Sequence, residues 1–381
     1  MSKLIRYGMV GGGLNGFIGD VHRKAASFDS RLELVAGCFS THPDQNAATG
    51  DACGIAPDRL YENYREMAEK EAAREDGIDF VTIVTPNFCH YEIAKAFLQA
   101  GINIVCEKPV CFEVAEAEEL EALAKEKDLL FAVTYTYPGF TMPRIMKDMI
   151  AQGEIGRIVS VNGEYVQEWL INDLNPVEGM EETLSTWRRE PKIAGISNCV
   201  GDIGTHIECL VSYVTGLKIK RLAATMNRFG QELDLNANIL IEYDTGINGA
   251  YWCSQIAAGH YNDLVIRIYG DKGSLEWHEE HPDFLNYTPK GGATRTITRA
   301  GNETGYPAAE ASRLPSGHPE GLYVAFANIY RDYVTALIDK KAGRPYDVSR
   351  LTMIDAGVDG VRFVHAAVDS AAADSAWVEL R

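Results

Sequence analysis

The chain has 381 residues, 46% of them hydrophobic, and a formal net charge of −18 from 54 acidic and 36 basic residues. This length favours two domains, because one domain usually holds about 100–200 residues. The negative charge argues against nucleic acid or an anionic membrane as a partner, and no apolar run is long enough to cross a bilayer. No secretory signal pattern is recognised, so we expect a cytoplasmic protein.

Up to about residue 135, apolar β-branched strands alternate with helical segments. The five predicted strands cover residues 4–11, 31–39, 79–85, 102–106 and 129–135. Such alternation implies right-handed crossovers and a parallel sheet covered on both faces. We therefore predict an α/β domain over residues 1–137, a doubly wound Rossmann sheet that binds a dinucleotide.

Residues 138–381 differ in composition and are predicted to form a second domain. They contain long segments rich in Val, Ile, Thr and Tyr, with hairpin-like turns at 244–246 and 270–273. Helices are predicted at about 320–341 and 349–371. These features predict an α+β domain with a large, mostly antiparallel open sheet.

The first chemical motif is a G-x-G-x-x-G sequence that follows the first strand and opens a helix. Gly11 and Gly13 are expected to permit a tight turn and the approach of a pyrophosphate, with Leu14 and Asn15 in the same turn. Gly16 is expected to allow close contact between helix and strand. A glycine-rich turn without a ligand is the alternative, but the position in the first βαβ unit favours dinucleotide binding.

The residues after the second strand bear on the choice between NAD and NADP. Binders of NAD usually have Asp or Glu there, and binders of NADP have a nearby Arg. This chain has Ser40, Thr41 and His42 instead. The two hydroxyls could bind a ribose, whereas a 2′-phosphate would be poorly neutralised. We therefore expect NAD, although His42 keeps NADP open.

Two further strand ends are expected at the same edge of the sheet, where open α/β sheets bind ligands. The fourth strand ends in C-E-K-P, which directs Lys108 toward the expected nicotinamide. For Asn87 and His90 the alternatives are an N-cap and an ordinary helical histidine. The residues expected to contact cofactor here are Thr85, Pro86, Asn87, His90, Glu107 and Lys108.

Eight cysteines are scattered along the chain, without a C-x-x-C motif or a His/Cys group at zinc spacing. Cys106 and Cys111 flank the E-K-P motif, where a redox pair is one interpretation. Reduced, half-buried thiols are the favoured alternative. We expect no disulfide and no metal.

The second domain contains the segment G-D-I-G-T-H. If a helix begins here, Asp202 and His206 lie four residues apart on one face, and Gly204 leaves room for a flat ligand. The alternative is an N-capping aspartate followed by a locally packed histidine. In combination with Lys108 at a dinucleotide crevice, the functional interpretation is favoured.

Taken in order, G-x-G-x-x-G, T-P-N-F-C-H, E-K-P, G-D-I-G-T-H and a terminal W-V-E-L make the chain resemble a known family over essentially its whole length. This is the glucose–fructose oxidoreductase, inositol dehydrogenase and rhizopine catabolism (Gfo/Idh/MocA) family of NAD(P)-dependent sugar and polyol oxidoreductases. The resemblance implies that Lys108, Asp202 and His206 are catalytic and contact substrate. It also implies a homodimer or homotetramer formed through the C-terminal sheet.

Other segments, such as Y-T-Y-P-G-F, E-Y-V-Q-E-W-L and W-R-R-E-P-K-I-A-G, are similar to the levoglucosan dehydrogenase and glycoside 3-dehydrogenase branch. This similarity implies a sugar pocket lined by Tyr137, Gln167, Trp169, Trp187 and Arg188. Core packing is the alternative for each tryptophan. Several members of this branch also lack an acidic residue after the second strand, so its absence does not argue against NAD.

Oxidation of a secondary alcohol needs a base and a hydride acceptor at the same carbon. We expect His206 to be the base, Lys108 to stabilise the alkoxide, and Asp202 to orient His206 or bind a neighbouring hydroxyl. The expected substrate is a sugar, glycoside or cyclic polyol, with C3 among the candidate positions. The alternatives are a redox-neutral, glycoside-cleaving or lyase-type enzyme and a non-catalytic NAD-binding sensor, which would have a broken triad.

Overall fold

The computed structural model describes residues 4–174, 190–301 and 305–380, and the chain divides into two compact units. The first unit contains residues up to Gly139 together with Leu322–Val358. The second contains Phe140–Gly321 and the residues from Asp359 onward. Leu322–Val358 therefore belongs to the first unit, and its assignment to the second domain was wrong.

A five-stranded parallel sheet forms the first unit, in the order β2-β1-β3-β4-β5. Its strands are β1 (Ile5–Gly11), β2 (Leu32–Cys38), β3 (Phe80–Val84), β4 (Asn103–Cys106) and β5 (Phe131–Val133). The helices along this part of the chain are α1 (Phe17–Ser27), α2 (Pro43–Cys53), α3 (Tyr64–Ala73), α4 (His90–Gln99) and α5 (Val114–Glu126). Each neighbouring pair runs parallel, which confirms the predicted Rossmann-type sheet and brings the carboxyl ends of its strands to one edge.

The second unit contains a nine-stranded sheet in the order β13-β12-β11-β10-β6-β9-β8-β7-β14. Its strands are β6 (Ile158–Val166), β7 (Ile219–Asn227), β8 (Asn236–Tyr243), β9 (Asn248–Ser254), β10 (Asp263–Gly270), β11 (Gly273–His278), β12 (Phe284–Pro289), β13 (Arg295–Thr298) and β14 (Val378–Glu379). The accompanying helices are α6 (Thr141–Ala151), α7 (Pro191–Ala194) and α8 (Thr205–Thr215). Of the neighbouring pairs, β6 and β9 run parallel and the others antiparallel, which confirms the predicted mostly antiparallel sheet.

The two faces of this sheet differ, as β8 illustrates. Ala237, Ile239 and Ile241 are buried, while the intervening Leu240 is 57% exposed. This alternation is expected when only one face of an antiparallel sheet is covered. The covered face packs against α8, and within the described residues the opposite face, called the open face below, carries the exposed Leu240.

Two long helices complete the described chain, α9 (Leu322–Lys341) and α10 (Ile354–Ala372). Phe326, Tyr330 and Tyr333 of α9 belong to the same buried cluster as Tyr7 and Phe80 of the parallel sheet. The Phe80 and Tyr333 rings meet at 5.1 Å between centroids. Packing of these aromatic rings is the physical reason that α9 belongs to the first unit.

No helix in the described ranges is long and apolar enough to cross a bilayer. Within those ranges, no group of three or more His, Cys, Asp or Glu side chains is arranged to hold a metal ion. All eight cysteines lie in the described part and are free thiols. Burial raises the pKa values of Cys106 and Cys111, so neither is an activated nucleophile. This result argues against a redox pair there.

Candidate active site

The glycine turn after β1 needs glycine at two adjacent positions. Gly11 and Gly12 have φ values of +78° and +67°, which favour glycine. A Cβ atom on Gly11 would lie 2.4 Å from the carbonyl oxygen of Val84, and the Gly12 N–H donates to that oxygen at 3.0 Å. The turn is therefore held against the end of β3.

Close contact between α1 and the turn occurs at Gly19, and the role predicted for Gly16 was wrong. A Cβ atom on Gly19 would lie 2.4 Å from the Gly12 Cα atom. A Cβ atom on Gly16 would approach only the Gly13 carbonyl oxygen, at 3.4 Å. Gly16 precedes the helix as its extended N-cap residue, with φ −97°.

Gly13 lies in the turn just before α1, where a Cβ atom would make only ordinary van der Waals contacts. The protein atoms nearest to a Cβ atom on Gly13 would be 3.6 Å and 3.7 Å away, and the Gly16 N-cap provides no side-chain hydrogen bond to the helix. Leu14 and Asn15, the next two residues, are exposed. Backbone amides and positive helix dipole at such a position fit a pyrophosphate group.

The loop after β2 is shaped by Ser40. Its hydroxyl accepts a hydrogen bond from the His42 N–H at 3.1 Å and lies 3.2 Å from Gln45 Oε1. Thr41 and His42 are exposed. Ser40 therefore orders the loop, and Thr41 and His42 present their side chains to solvent.

At the end of β3, Thr85 is half-buried and Asn87 begins a 3₁₀ turn, Asn87–Cys89, after the exposed Pro86. The Thr85 Oγ1 atom is buried and has no hydrogen-bond partner among the described residues. An orphaned buried hydroxyl at this edge fits a polar ligand such as a dinucleotide. Asn87 is not the N-cap of α4, which is Cys89.

The structure gives His90 a supporting position inside the first unit instead of one facing a cofactor. His90 is completely buried, with Nε2 2.9 Å from the Thr85 carbonyl oxygen and Nδ1 2.6 Å from that of Pro109. Burial lowers the pKa of His90, although the two carbonyl oxygens favour its protonated form. His90 thus joins the loops after β3 and β4.

The turn at the end of β4 contains two charged residues, Glu107 and Lys108. The Glu107 carboxylate points inward and accepts hydrogen bonds from Thr134 Oγ1 at 2.6 Å and from His22 Nε2 at 2.9 Å. The side chain is 13% exposed. Lys108 is half-buried, and its peptide bond to Pro109 is cis. Glu107 is therefore a buried support for the turn.

In the second unit, Asp202 and His206 occupy one continuous helical segment. A π-helical turn covers Val200–Gly204, and α8 follows directly at Thr205. Such π-turns occur often at functional sites. The role predicted for Gly204 was wrong, because a Cβ atom there would lie 3.3 Å from both Cys253 Sγ and Val200 Cγ1. Gly204 permits close internal packing and does not make room for a ligand.

Buried amides orient Asp202. Gln255 Nε2 donates to Asp202 Oδ2 at 3.0 Å, and Asn198 Nδ2 donates to Gln255 Oε1 at 2.6 Å. Asp234 anchors this arrangement by accepting from the Asn198 and Val200 amides, each at 2.9 Å. Gln255, Asn198 and Asp234 are at most 2% exposed. The Asp202 carboxylate is therefore held by a rigid polar support.

A second polar group lies near His206, which is 8% exposed. The Tyr165 ring is 6.0 Å from the His206 ring between centroids. Asn262 Oδ1 accepts from Tyr165 OH at 2.6 Å and from Gln167 Nε2 at 2.8 Å, and Trp169 Nε1 donates to Gln167 Oε1 at 2.9 Å. Gln167 and Trp169 therefore belong to one hydrogen-bonded group that reaches His206 through Tyr165.

Three further residues were predicted to line the pocket, Tyr137, Trp187 and Arg188. Tyr137 is 5% exposed and starts a 3₁₀ turn, Tyr137–Gly139, in the first unit. Trp187 and Arg188 lie outside the described residues.

Sequence reasoning missed Tyr165, Gln255 and Asn262. Gln255 follows β9, Gln167 follows β6, and β6 and β9 run parallel with Val166 opposite Ser254. Asn262 precedes β10, whose first residue is also opposite Val166. Polar residues at strand ends identified the ligand edge of the first sheet. The same reasoning would have identified this edge of the second sheet if the parallel pairing of β6 with β9 had been recognised.

Comparison with known proteins identifies the family of both parts of the chain. Residues 5–135 match the oxidoreductase family described as having an NAD-binding Rossmann fold, and residues 144–276 match the GFO/IDH/MocA C-terminal domain. The uncharacterized oxidoreductase YfiI of Bacillus subtilis is 37% identical over 389 residues, covering 100% of this chain and 98% of that protein. Levoglucosan dehydrogenase of Pseudarthrobacter phenanthrenivorans is 25% identical over 306 residues, 74% of this chain and 75% of that one.

An inositol dehydrogenase homolog from Azotobacter vinelandii has two relevant crystal structures. The complex with NAD⁺ is 37% identical, with a TM-score of 0.91, and covers 100% of this chain and 98% of that one. The complex with NADH and myo-inositol is 36% identical, with a TM-score of 0.88 and the same coverage. With a 37% identical relative matched along its whole length and both family domains present, the chain belongs to the GFO/IDH/MocA family of oxidoreductases and carries its NAD-binding Rossmann fold.

Proposed function

We propose that the chain is a cytoplasmic NAD-dependent dehydrogenase that removes hydride from a secondary hydroxyl of a cyclic polyol, sugar or glycoside, with C3 of a pyranose among the candidate positions. The observation that carries this proposal is the full-length similarity to a protein complexed with NADH and myo-inositol. The lower identity to levoglucosan dehydrogenase keeps pyranose substrates in the same class.

Three features of the first unit support NAD as the cofactor. The turn at Gly13 lies at the N-terminal end of α1, where backbone amides favour a pyrophosphate, and the buried Thr85 Oγ1 lies at the carboxyl edge of the sheet. After β2, Thr41 offers an exposed hydroxyl suited to an unphosphorylated ribose, and Ser40 orders the loop that carries it. A 2′-phosphate would need a positive partner such as arginine, which supports NAD over NADP.

The proposed roles follow from the chemistry of each side chain. NAD, when bound, accepts the hydride. His206 removes the proton of the reacting hydroxyl, because imidazole titrates near neutral pH. Lys108 donates a hydrogen bond to the same oxygen and stabilises its negative charge. Asp202, oriented by Gln255, accepts a hydrogen bond from a neighbouring substrate hydroxyl.

The polar group around His206 supports a polyhydroxylated ring as substrate. Gln167 and Trp169 are half-buried and hydrogen-bonded to each other. An amide can bind hydroxyls at the rim of a ring, and an indole can cover its apolar C–H face. This pairing of a fixed amide with an aromatic surface suits inositols and pyranoses alike.

The test is a panel of inositols, monosaccharides and glycosides, each with NAD and with NADP, read by absorbance of the reduced nicotinamide. Formation of NADH in equal amount to a ketone product would support the proposal. Cleavage of a glycoside without net NADH would favour the redox-neutral alternative. If NAD binds and no compound turns over, the sensor alternative gains. The matched control is His206→Asn, which should bind NAD and lose turnover.

We also propose that the open face of the nine-stranded sheet pairs copies of the chain into a homodimer or homotetramer. Leu240 on this face is 57% exposed, and Trp252 on the neighbouring β9 is half-buried. An apolar surface of this kind suits association. Leu240→Glu should lower the mass measured by light scattering, and an unchanged mass would refute the interface.

A further inference from the structure

A chain of buried polar groups lies beneath the turn that carries Lys108. His22, on α1, is completely buried, and its Nε2 atom is 2.9 Å from Glu107 Oε1. Its Nδ1 atom is 2.7 Å from the hydroxyl of Tyr330 on α9. That hydroxyl is also 3.1 Å from Thr82 Oγ1 on β3. Hydrogen bonds therefore join α1, α9 and β3 to the residue before Lys108.

The direction of these hydrogen bonds follows from the charge of Glu107. Burial raises the pKa of Glu107, but the hydrogen bond and charge of His22, aided by Thr134 and Lys108, outweigh burial and lower it. The ionised carboxylate can only accept, so His22 Nε2 donates. Burial raises the pKa of Tyr330, so its hydroxyl keeps a proton. The Nδ1 atom of the same ring lies 2.7 Å from that hydroxyl, so both ring nitrogens have hydrogen-bond partners.

The same carboxylate fixes the backbone of Lys108. Glu107 Oε2 accepts a hydrogen bond from the Lys108 N–H at 3.2 Å, and the Glu107 N–H donates to the Ile83 carbonyl oxygen at 3.0 Å. On the other side of Lys108, His90 contacts the Pro109 carbonyl oxygen. Lys108 thus lies between two residues that buried histidines hold in place.

We propose that His22 is a positioning residue that holds the Glu107 carboxylate and, through it, the backbone of Lys108. The inference rests on the proposed function, because the position of Lys108 matters to the reaction only if its ammonium group acts on substrate. It adds a physical link within the first unit. The helix that begins at the glycine turn also carries the residue that fixes the lysine.

The direct test replaces His22 with two different side chains. His22→Phe keeps a ring that can pack on Phe326, as the imidazole does at 4.9 Å between centroids, and removes both nitrogens. We expect kcat to fall about tenfold to hundredfold, the scale for misplacing a catalytic group, with NAD affinity nearly unchanged. His22→Gln keeps an N–H donor for Glu107 and should restore most of the activity.

A pH profile adds a readout that a general loss of stability would not move. The titratable groups around Glu107 are His22, Tyr330, Lys108, His90 and Cys106. Without the hydrogen bond from His22, the Glu107 carboxyl gains its proton at higher pH. The fall of kcat toward acid should therefore begin at higher pH in His22→Phe than in His22→Gln.

Amide hydrogen exchange gives a readout that needs no turnover. The Lys108 amide should exchange faster in His22→Phe, since its acceptor Glu107 is then loosely held. The matched control is Tyr333→Phe, which removes a buried hydroxyl on the same helix that bonds only the Leu130 carbonyl oxygen among described partners, at 3.3 Å. This variant should leave both exchange at Lys108 and kcat unchanged.

The outcomes separate this inference from the proposed function. The inference would be overturned if folded His22→Phe kept both its kcat and its Lys108 amide exchange rate. It would also be overturned if the Phe and Gln variants lost kcat equally and in step with their loss of melting temperature. If His22→Phe does not fold, Thr134→Val removes a different hydrogen bond to the same carboxylate and must give the same changes. If the wild-type protein oxidises no polyol or sugar, the proposed function fails, and amide exchange still decides whether His22 holds Lys108.

Discussion

Gly13→Val separates a ligand-binding role of the glycine turn from a structural one. A Cβ atom at Gly13 would have ordinary contacts, at 3.6 Å to the Phe39 carbonyl oxygen and 3.7 Å to Thr49 Oγ1, and its φ lies outside the left-handed region. The folded chain should therefore accept the substitution, whereas a pyrophosphate beside the helix would not. One lost hydrogen bond to a charged group costs about 1.5–3 kcal/mol, which weakens NAD binding about tenfold to hundredfold.

Calorimetric titration with NAD and thermal unfolding of the same samples provide the assay. Two further variants serve as controls for the stability and affinity measurements. Gly19→Ala places a Cβ atom 2.4 Å from the Gly12 Cα atom and should lose about 1–3 kcal/mol of stability through overpacking. Gly321→Val, with nothing within 4 Å of its Cβ, should change neither quantity. Wild-type NAD affinity in Gly13→Val would refute the placement of the pyrophosphate.

The remaining predictions concern catalysis, cofactor choice and pH. Lys108→Ala should lower kcat about hundredfold or more. Lys108→Arg should not restore kcat, because a planar guanidinium group cannot replace a compact ammonium group. Near-normal kcat in either variant would contradict the role proposed for Lys108. NAD should bind more tightly than NADP in titrations, and equal affinity would contradict the argument from Ser40 and Thr41. Burial raises the pKa of Glu208, on α8, to about 8, so the folded state holds a proton that the unfolded state releases above about pH 4.5. The free energy of unfolding that this group contributes is therefore fully present below about pH 4.5 and is lost as pH rises toward 8. Glu208→Gln should raise the melting temperature at pH 8 and change it little at pH 5. An equal change at both pH values would refute this reasoning.

Local sequence patterns were sufficient to predict the parallel sheet and the edge of that sheet that carries Thr85 and Lys108. Strands buried on both faces read as continuous apolar runs, and polar residues at their ends then mark the ligand edge. The same logic did not extend to Gly16 and Gly19. A motif specifies where glycine occurs, whereas the 2.4 Å approach at Gly19 depends on how the helix lies on the turn.

Contacts between distant parts of the chain were beyond sequence reasoning. His22 and Tyr330 are 308 residues apart, and neither belongs to a motif that identifies the other as its partner. The period of α9 shows that one face is buried, but not which sheet buries it. For the same reason, Gln255 and Asn262 became recognisable only when the strand pairing at one edge of the second sheet was known.

The position of α9 has a consequence for synthesis on the ribosome. The first unit is interrupted by Phe140–Gly321, and at about 5–20 residues per second this insertion takes roughly 10–40 s to translate. During that interval Tyr7 and Phe80 lack the aromatic side chains of α9 that later cover them. The nascent Rossmann sheet is thus expected to expose apolar surface and to need protection from aggregation, and a fragment that ends at Gly139 should be insoluble on its own.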